Sequence, residues 1–155
     1  MKNSIVIAQL FLRIALGIGF LAACFDRFGW VAPYGSPNVS WGDWQHFLIY
    51  SHSIMPFVPD ELVELMAITA SILELIFGIL LIIGLFTKWT SIGSGLLLLS
   101  FGLCTTISLG IHAPLSYSVF TASAGSFLLA TIANYKWSVD EVGYESKPIA
   151  DSSHI

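Results

Sequence analysis

Four apolar runs, each about as long as a bilayer is thick, leave this chain few ways to fold. They are Ile5 to Phe25, Leu62 to Phe86, Trp89 to Gly110 and Leu115 to Tyr135. A hydrocarbon core of about 30 Å needs about 20 helical residues to cross it, and every run is long enough. Alternation of polar and apolar residues at the two-residue period of a membrane barrel is absent. Backbone groups in lipid must be satisfied within the chain, so helices are the consistent solution. Charge is also too scarce to cover a soluble sphere. Asp, Glu, Lys and Arg make up 10% of the residues and hydrophobic types 55%, whereas soluble domains are about a quarter charged. The expected fold is all-α: an integral membrane four-helix bundle over residues 1–135, followed by an acidic tail over 136–155 carrying Asp140, Glu141, Glu145 and Asp151.

The connections differ in kind. Thr87 and Lys88 read as a tight turn between the second and third spans. Pro114 suits the start of the fourth. The first two spans are separated by a long segment, Asp26 to Glu61, with Pro33, Pro37, Pro56 and Pro59 and the tryptophans Trp30, Trp41 and Trp44. Within it, residues 40–50 read as a short helix with Ser40 as N-cap. Its aromatic residues suit the headgroup level of a membrane. Pro59, Asp60 and Glu61 open the second span, with acids where the helix dipole favours them.

Ionisable residues inside the spans are costly and therefore informative. Arg13 lies near the centre of the first run and Glu74 near the centre of the second. A lone charge at that depth costs about 2.5–3.5 kcal/mol on the lenient insertion scale. A charge-assisted pair offsets the cost, so Arg13 and Glu74 are expected to pair, directly or through one water. Small residues at four-residue spacing (Ala15, Gly19 and Ala23; Ala67, Ser71 and Gly78; Ala122, Ser126 and Ala130) suit close helix approach. Such a pair either locks the bundle or forms a polar site for a proton, a quinone or a small anion, and both readings stand.

Two thiols form a second candidate cluster. Cys24 shares a helix face with Gln9, Arg13 and Phe20 by three- and four-residue steps, and Cys104 lies in the third run. The pair are candidate redox thiols, set against the plainer role of inert packing residues. No C-x-x-C spacing supports dithiol chemistry. Leu21-Ala22-Ala23-Cys24 also resembles a lipoprotein cleavage site, but the stretch before Arg13 is apolar rather than a charged leader. His46, His52 and His112 match no metal-ligand spacing, so no metal is expected. Nor is a nucleic acid, because no basic stripe with interleaved aromatics appears.

At this point the ordered residues resemble a family. Arg13-Ile14-Ala15-Leu16-Gly17-Ile18-Gly19-Phe20 is similar to the opening of the DoxX family of four-helix membrane proteins. Glu74-Leu75-Ile76-Phe77-Gly78 and Gly84-Leu85-Phe86-Thr87-Lys88 resemble its second-helix signature. The resemblance covers roughly Leu10 to Tyr135. It places the family's characteristic residues on Arg13, Gly17, Phe20, Glu74, Gly78, Gly84, Thr87 and Lys88. The glycine that members carry after the first helix is missing here, although the basic residue, Arg27, is kept. The loop from Trp30 to Pro59 is longer and richer in tryptophan than usual. Relatives include a membrane subunit of an archaeal thiosulfate:quinone oxidoreductase. The resemblance therefore implies a subunit of a quinone- or thiol-linked redox system, with a quinone held near Arg13 and Glu74. It also implies a soluble or membrane redox partner, because the chain has no recognisable electron carrier of its own. The competing readings are a small transporter, which with so few spans would need to form a homo-oligomer, and a scaffold without catalysis.

With four spans, both termini and the Thr87-Lys88 turn fall on one side, together with Lys2, Lys88, Lys136 and Lys147; the other side holds Arg27. The positive-inside rule then puts both termini in the cytoplasm of a cell whose inner membrane holds the protein, with the tryptophan-rich loop outside. A topology reporter fused to the C-terminus is expected to be active only in its cytoplasmic form; activity of an external reporter would reverse this orientation.

Overall fold

The computed structural model describes residues 2–145, and every regular element among them is helical. In chain order these are α1 (Lys2–Arg27), α2 (Trp44–Ile54), α3 (Asp60–Ile83), α4 (Thr87–Leu109), α5 (His112–Ser116), α6 (Val119–Ala130) and α7 (Val139–Glu145). Three of them, α1, α3 and α4, are long and apolar enough to cross a membrane. Their outward faces carry large apolar side chains such as Phe11, Ile18, Leu65, Ile72, Ile79 and Leu103. That pattern suits a lipid surrounding rather than water.

The fourth apolar run does not form one continuous helix. It divides into α5 and α6, with Ser118 between them in the left-handed region at φ 55°. The 12 residues of α6 rise about 18 Å at 1.5 Å per residue, less than a bilayer core. Gly110, at φ 83°, ends α4 ahead of α5, and Pro114, buried in α5, has no N–H to continue the α4 ladder. The left-handed Ser118 makes the later break that separates α5 from α6.

Packing joins α1 to α3, α3 to α4, α4 to α6 and α6 back to α1, so these four helices enclose a common interior. The α1–α3 seam is closest at Gly17 and Gly78. A Cβ added to Gly17 would lie 2.9 Å from the Gly78 carbonyl oxygen and 2.7 Å from Ile82. The packing face of α1 therefore differs from the expected one: Gly17 faces its neighbour, whereas Ala15 and Gly19 are exposed. On α3 the expected stripe of Ala67, Ser71 and Gly78 is buried.

At one end of the bundle, the terminal end, α1 begins, α3 turns into α4, and the irregular segment 131–138 leads into α7. The turn is Gly84 to Phe86, ahead of the expected Thr87 and Lys88, because Gly84 caps α3 in the left-handed region and Thr87 already opens α4. The Asp140 carboxylate accepts from the backbone N–H groups of Phe86 and Thr87 at 2.8 Å each, capping α4 from outside. Asp140 returns its own N–H to the Gly84 carbonyl. Asp140 and Glu141 are thus part of a strap docked on the bundle rather than a loose tail. Lys147 and Asp151 lie outside the described residues.

At the opposite, loop end, the long connection is held by Asp26. Its carboxylate accepts from the N–H groups of Ser40 (2.9 Å), Trp41 (3.2 Å) and Gly42 (3.1 Å). This is why Ser40 does not cap α2. The chain reverses at Gly42 (φ 67°), and Asp43 becomes the N-cap, accepting from His46 N–H at 2.8 Å. The same backbone bond, followed by the His46 ring, holds the Asp43 carboxyl below its usual range. Replacement of Asp26 by Ala strips three backbone donors of their acceptor. It is expected to lower unfolding stability by about 2 kcal/mol or more, read as a fall in the thermal midpoint of the detergent-solubilised protein.

Candidate functional site: a buried ion pair in an apolar cavity

Glu74 lies on the interior face of α3, one helical turn beyond Ser71. Its partner is Arg27 and not Arg13. Arg27 Nη1 lies 2.6 Å from Glu74 Oε2, and Nη2 donates to Oε1 at 3.1 Å. This two-toothed geometry is the one a guanidinium and a carboxylate prefer. Nη1 also donates to Ser71 Oγ at 3.1 Å. The Arg27 side chain is 4% exposed and that of Glu74 12%. Two aromatic rings complete the enclosure: the guanidinium carbon lies 4.1 Å from the Phe47 ring centroid and 5.0 Å from that of Trp41. Both rings come from the loop segment that Asp26 anchors, so the loop supplies aromatic faces that attract the cation.

Arg13 has a different task at the terminal end. It is almost fully buried, and its Nη2 donates to the Trp137 carbonyl at 2.6 Å. Gln9, one turn earlier, donates to the Lys136 carbonyl at 2.9 Å. A Cβ on Gly84 would fall 2.8 Å from Arg13 Nη1, so Arg13 is packed against the α3–α4 turn. The expectation of an Arg13–Glu74 pair is therefore corrected. Gly17 meets Gly78, which puts Arg13 level with residues near Ile82, about two turns from Glu74. Arg27, counted from sequence as a loop charge, reaches back from the last turn of α1.

Cys24 is buried beside the pair. Its thiol faces the Ser71 carbonyl oxygen at 3.5 Å and Glu74 Oε2 at 4.0 Å. Cys104 packs against the cluster of Ile54, Met55 and Val63 and lines the same cavity as the ion pair, but it makes no bond to Cys24. Both thiols are free. Two histidines are engaged locally: His46 with Asp43, and His52 Nδ1 with Asp60 at 3.2 Å.

The remaining family-pattern residues serve the frame. Phe20 is buried in the central cluster with Leu16, Leu81 and Leu129. Gly84 caps α3, and Thr87 is fully buried under the strap. Lys88 is exposed and lines a cleft of about 770 Å³ between the α3–α4 turn and the end of α6 with the segment after it.

The ion pair forms part of the wall of a cavity of about 900 Å³ in the loop half of the bundle. Arg27 and Glu74 are the charged residues in that wall; the rest is mainly apolar and aromatic, including Phe20, Trp41, Phe47, Met55 and Phe101. Exposed residues of α1 and α6 (Ala15, Gly19, Thr121) and of α3 (Leu65, Met66) also line it. The cavity therefore reaches the lipid-facing surface between helices. Chemically it offers a large apolar volume with donors, an acceptor and a carboxylate gathered at one point. That combination suits a bound amphiphile with a small polar head.

Removing one partner of a buried pair strands the other charge. Arg27→Met is expected to cost about 3–5 kcal/mol, and Arg27→Met with Glu74→Met to recover most of it; a double-mutant cycle on thermal midpoints reads the coupling. An Arg13–Glu74 cycle is expected to show none. Among known proteins, no curated protein and no solved structure matches this chain. The sequence profile described as DoxX matches residues 8–109, from within α1 to the end of α4, and includes both members of the ion pair. The chain belongs to the DoxX family.

Proposed function

We propose that this multi-pass membrane protein is the binding subunit of a quinone- or thiol-linked redox system, and that its cavity holds a quinone-like amphiphile. The observation that carries this reading is the 900 Å³ apolar cavity with Arg27 and Glu74 in its wall. Known small-molecule sites fall in the range of about 300–1,000 Å³ and are mostly apolar with a few placed polar groups. A flat ring fits among Phe20, Phe47 and Phe101, with an apolar tail running out between the helices. Arg27 would donate to a ring carbonyl, and Glu74 would hold or release the proton that reduction or oxidation of the ring requires. Electrons would come from a partner, soluble or membrane-bound.

In this reading the protein sits in the inner membrane with both termini in the cytoplasm. α5, α6 and the irregular segment after them together make the fourth crossing, within a bundle over residues 1–135. The tryptophan-rich loop then lies at the far surface, where Trp30 (71% exposed) and Tyr34 (58%) face outward. A scaffold role would use that aromatic surface instead, without needing the cavity.

The test is binding of a short-chain quinone to the purified protein, followed by tryptophan quenching through Trp41. Arg27→Met with Glu74→Met is expected to weaken binding by about tenfold or more, equivalent to about 1.4 kcal/mol, while Lys88→Ala leaves it unchanged. Absence of saturable binding by the native protein would overturn the proposal and leave the scaffold and transporter readings. Thiosulfate- or thiol-driven quinone reduction in membranes with and without the chain then tests the redox role.

A further inference from the structure

Serine and threonine hydroxyls in apolar helices are normally satisfied by the carbonyl one turn back. Several here follow that habit: Ser71 bonds Ala67, Ser100 bonds Leu96, Thr105 bonds Phe101 and Thr106 bonds Gly102. A second set does not. Among the described residues, Thr87, Ser91 and Ser94 on α4 and Ser126 on α6 have buried hydroxyls without a protein partner. Gln9 Oε1 and Arg13 Nε and Nη1 on α1 share that condition. A buried polar group left without a partner is costly, and native interiors hold few of them. So many on three facing helices call for a common explanation.

They form a file. Thr87, Ser91 and Ser94 follow one another at four- and three-residue steps, on one face of α4, over about 10 Å of rise. Ser123 donates to the Gly95 carbonyl at 2.8 Å, and a Cβ on Gly95 would meet the Phe127 ring. Ser126 therefore stands level with Ser94. A Cβ on Gly93 would meet the Phe77 ring at 2.6 Å, which puts Ser94 within a turn of Glu74 along the bundle axis. The next residue on the same α4 face, Leu98, lines the cavity. At the other end, Gln9 and Arg13 reach the strap at Lys136 and Trp137.

We propose that Thr87, Ser91, Ser94 and Ser126 line a hydrated path along which protons exchange between the terminal end and Glu74. A proton entering beside Gln9 and Arg13 passes along waters and hydroxyls, each hydroxyl regaining a proton as it gives one up. The proton ends on the Glu74 carboxylate. No bond to carbon changes. The proposal rests on the cavity reading only for the use to which the proton is put.

The test uses silver ion, a small cation that reacts with thiolates, on the full-length protein with Cys24 and Cys104 replaced by Ala. S91C, S94C and S126C are compared with L81C, a fully buried apolar position in the core. Silver uptake is read as loss of maleimide labelling after unfolding. The three serine positions are expected to react about tenfold or more faster than the reference, and S91C no slower than S94C. Rates below that margin overturn the path, and S94C reacting ahead of S91C overturns its direction. Ser91→Ala and Ser94→Ala in the native background supply a second measurement that needs no cysteine. A hydroxyl that anchors water stabilises the fold, so each is expected to lower the thermal midpoint. A rise in both would mark dry, unsatisfied groups and overturn the proposal. Loss of quinone binding would leave the silver result standing, and a failed silver result would leave quinone binding intact.

Discussion

The demand that no charge in the bundle interior stand alone organises the loop half of this protein. Glu74 on α3 is buried where a bare carboxylate would be expensive, and Arg27 must fold back from the end of α1 to meet it. That reach leaves the guanidinium faces open, and Trp41 and Phe47 close over them. To bring those rings into place the connection after α1 has to double back, and the three backbone donors gathered by Asp26 hold it there. Ion pair, aromatic cover and loop anchor depend on one another. The ion pair and its aromatic cover form part of the cavity wall, while the gaps between helices leave the cavity in contact with lipid.

The terminal half solves a related problem by other means. Among the described residues Arg13 makes no direct ion pair, and it is satisfied in part by the Trp137 carbonyl. The strap that supplies this carbonyl is fastened through Asp140, whose carboxylate meets the free N–H groups and positive dipole end of α4. The two arginines of α1 thus serve opposite ends: one completes a candidate binding site, and the other ties down the base of the bundle. Between them runs the file of unpartnered hydroxyls.

Much of the frame was legible in the residues. The lengths of the first three apolar runs carry over to α1, α3 and α4 within a few positions, because length and apolarity are properties that a linear reading measures directly. The burial of Gln9, Arg13, Phe20 and Cys24 on one face of α1 follows from helical spacing alone. Three features were not legible. Ser40 looked like a cap, but its own N–H is held by Asp26, fourteen residues away. The fourth run reads as continuous, but the left-handed Ser118 divides it. Glu74 and Arg13 both sit mid-run, yet the centres of two runs need not share a depth.

By itself, the sequence determined that the chain is helical, that it belongs in lipid, and that Glu74 must find a cation, since each of these follows from composition, run length and the cost of burying charge. Which cation it finds was decided only by the tertiary structure. The close approach of Gly17 and Gly78 sets how far α1 slides along α3, and that register puts Arg27, not Arg13, within reach of Glu74. Helix register depends on contacts between side chains far apart in the chain, and no local pattern records it.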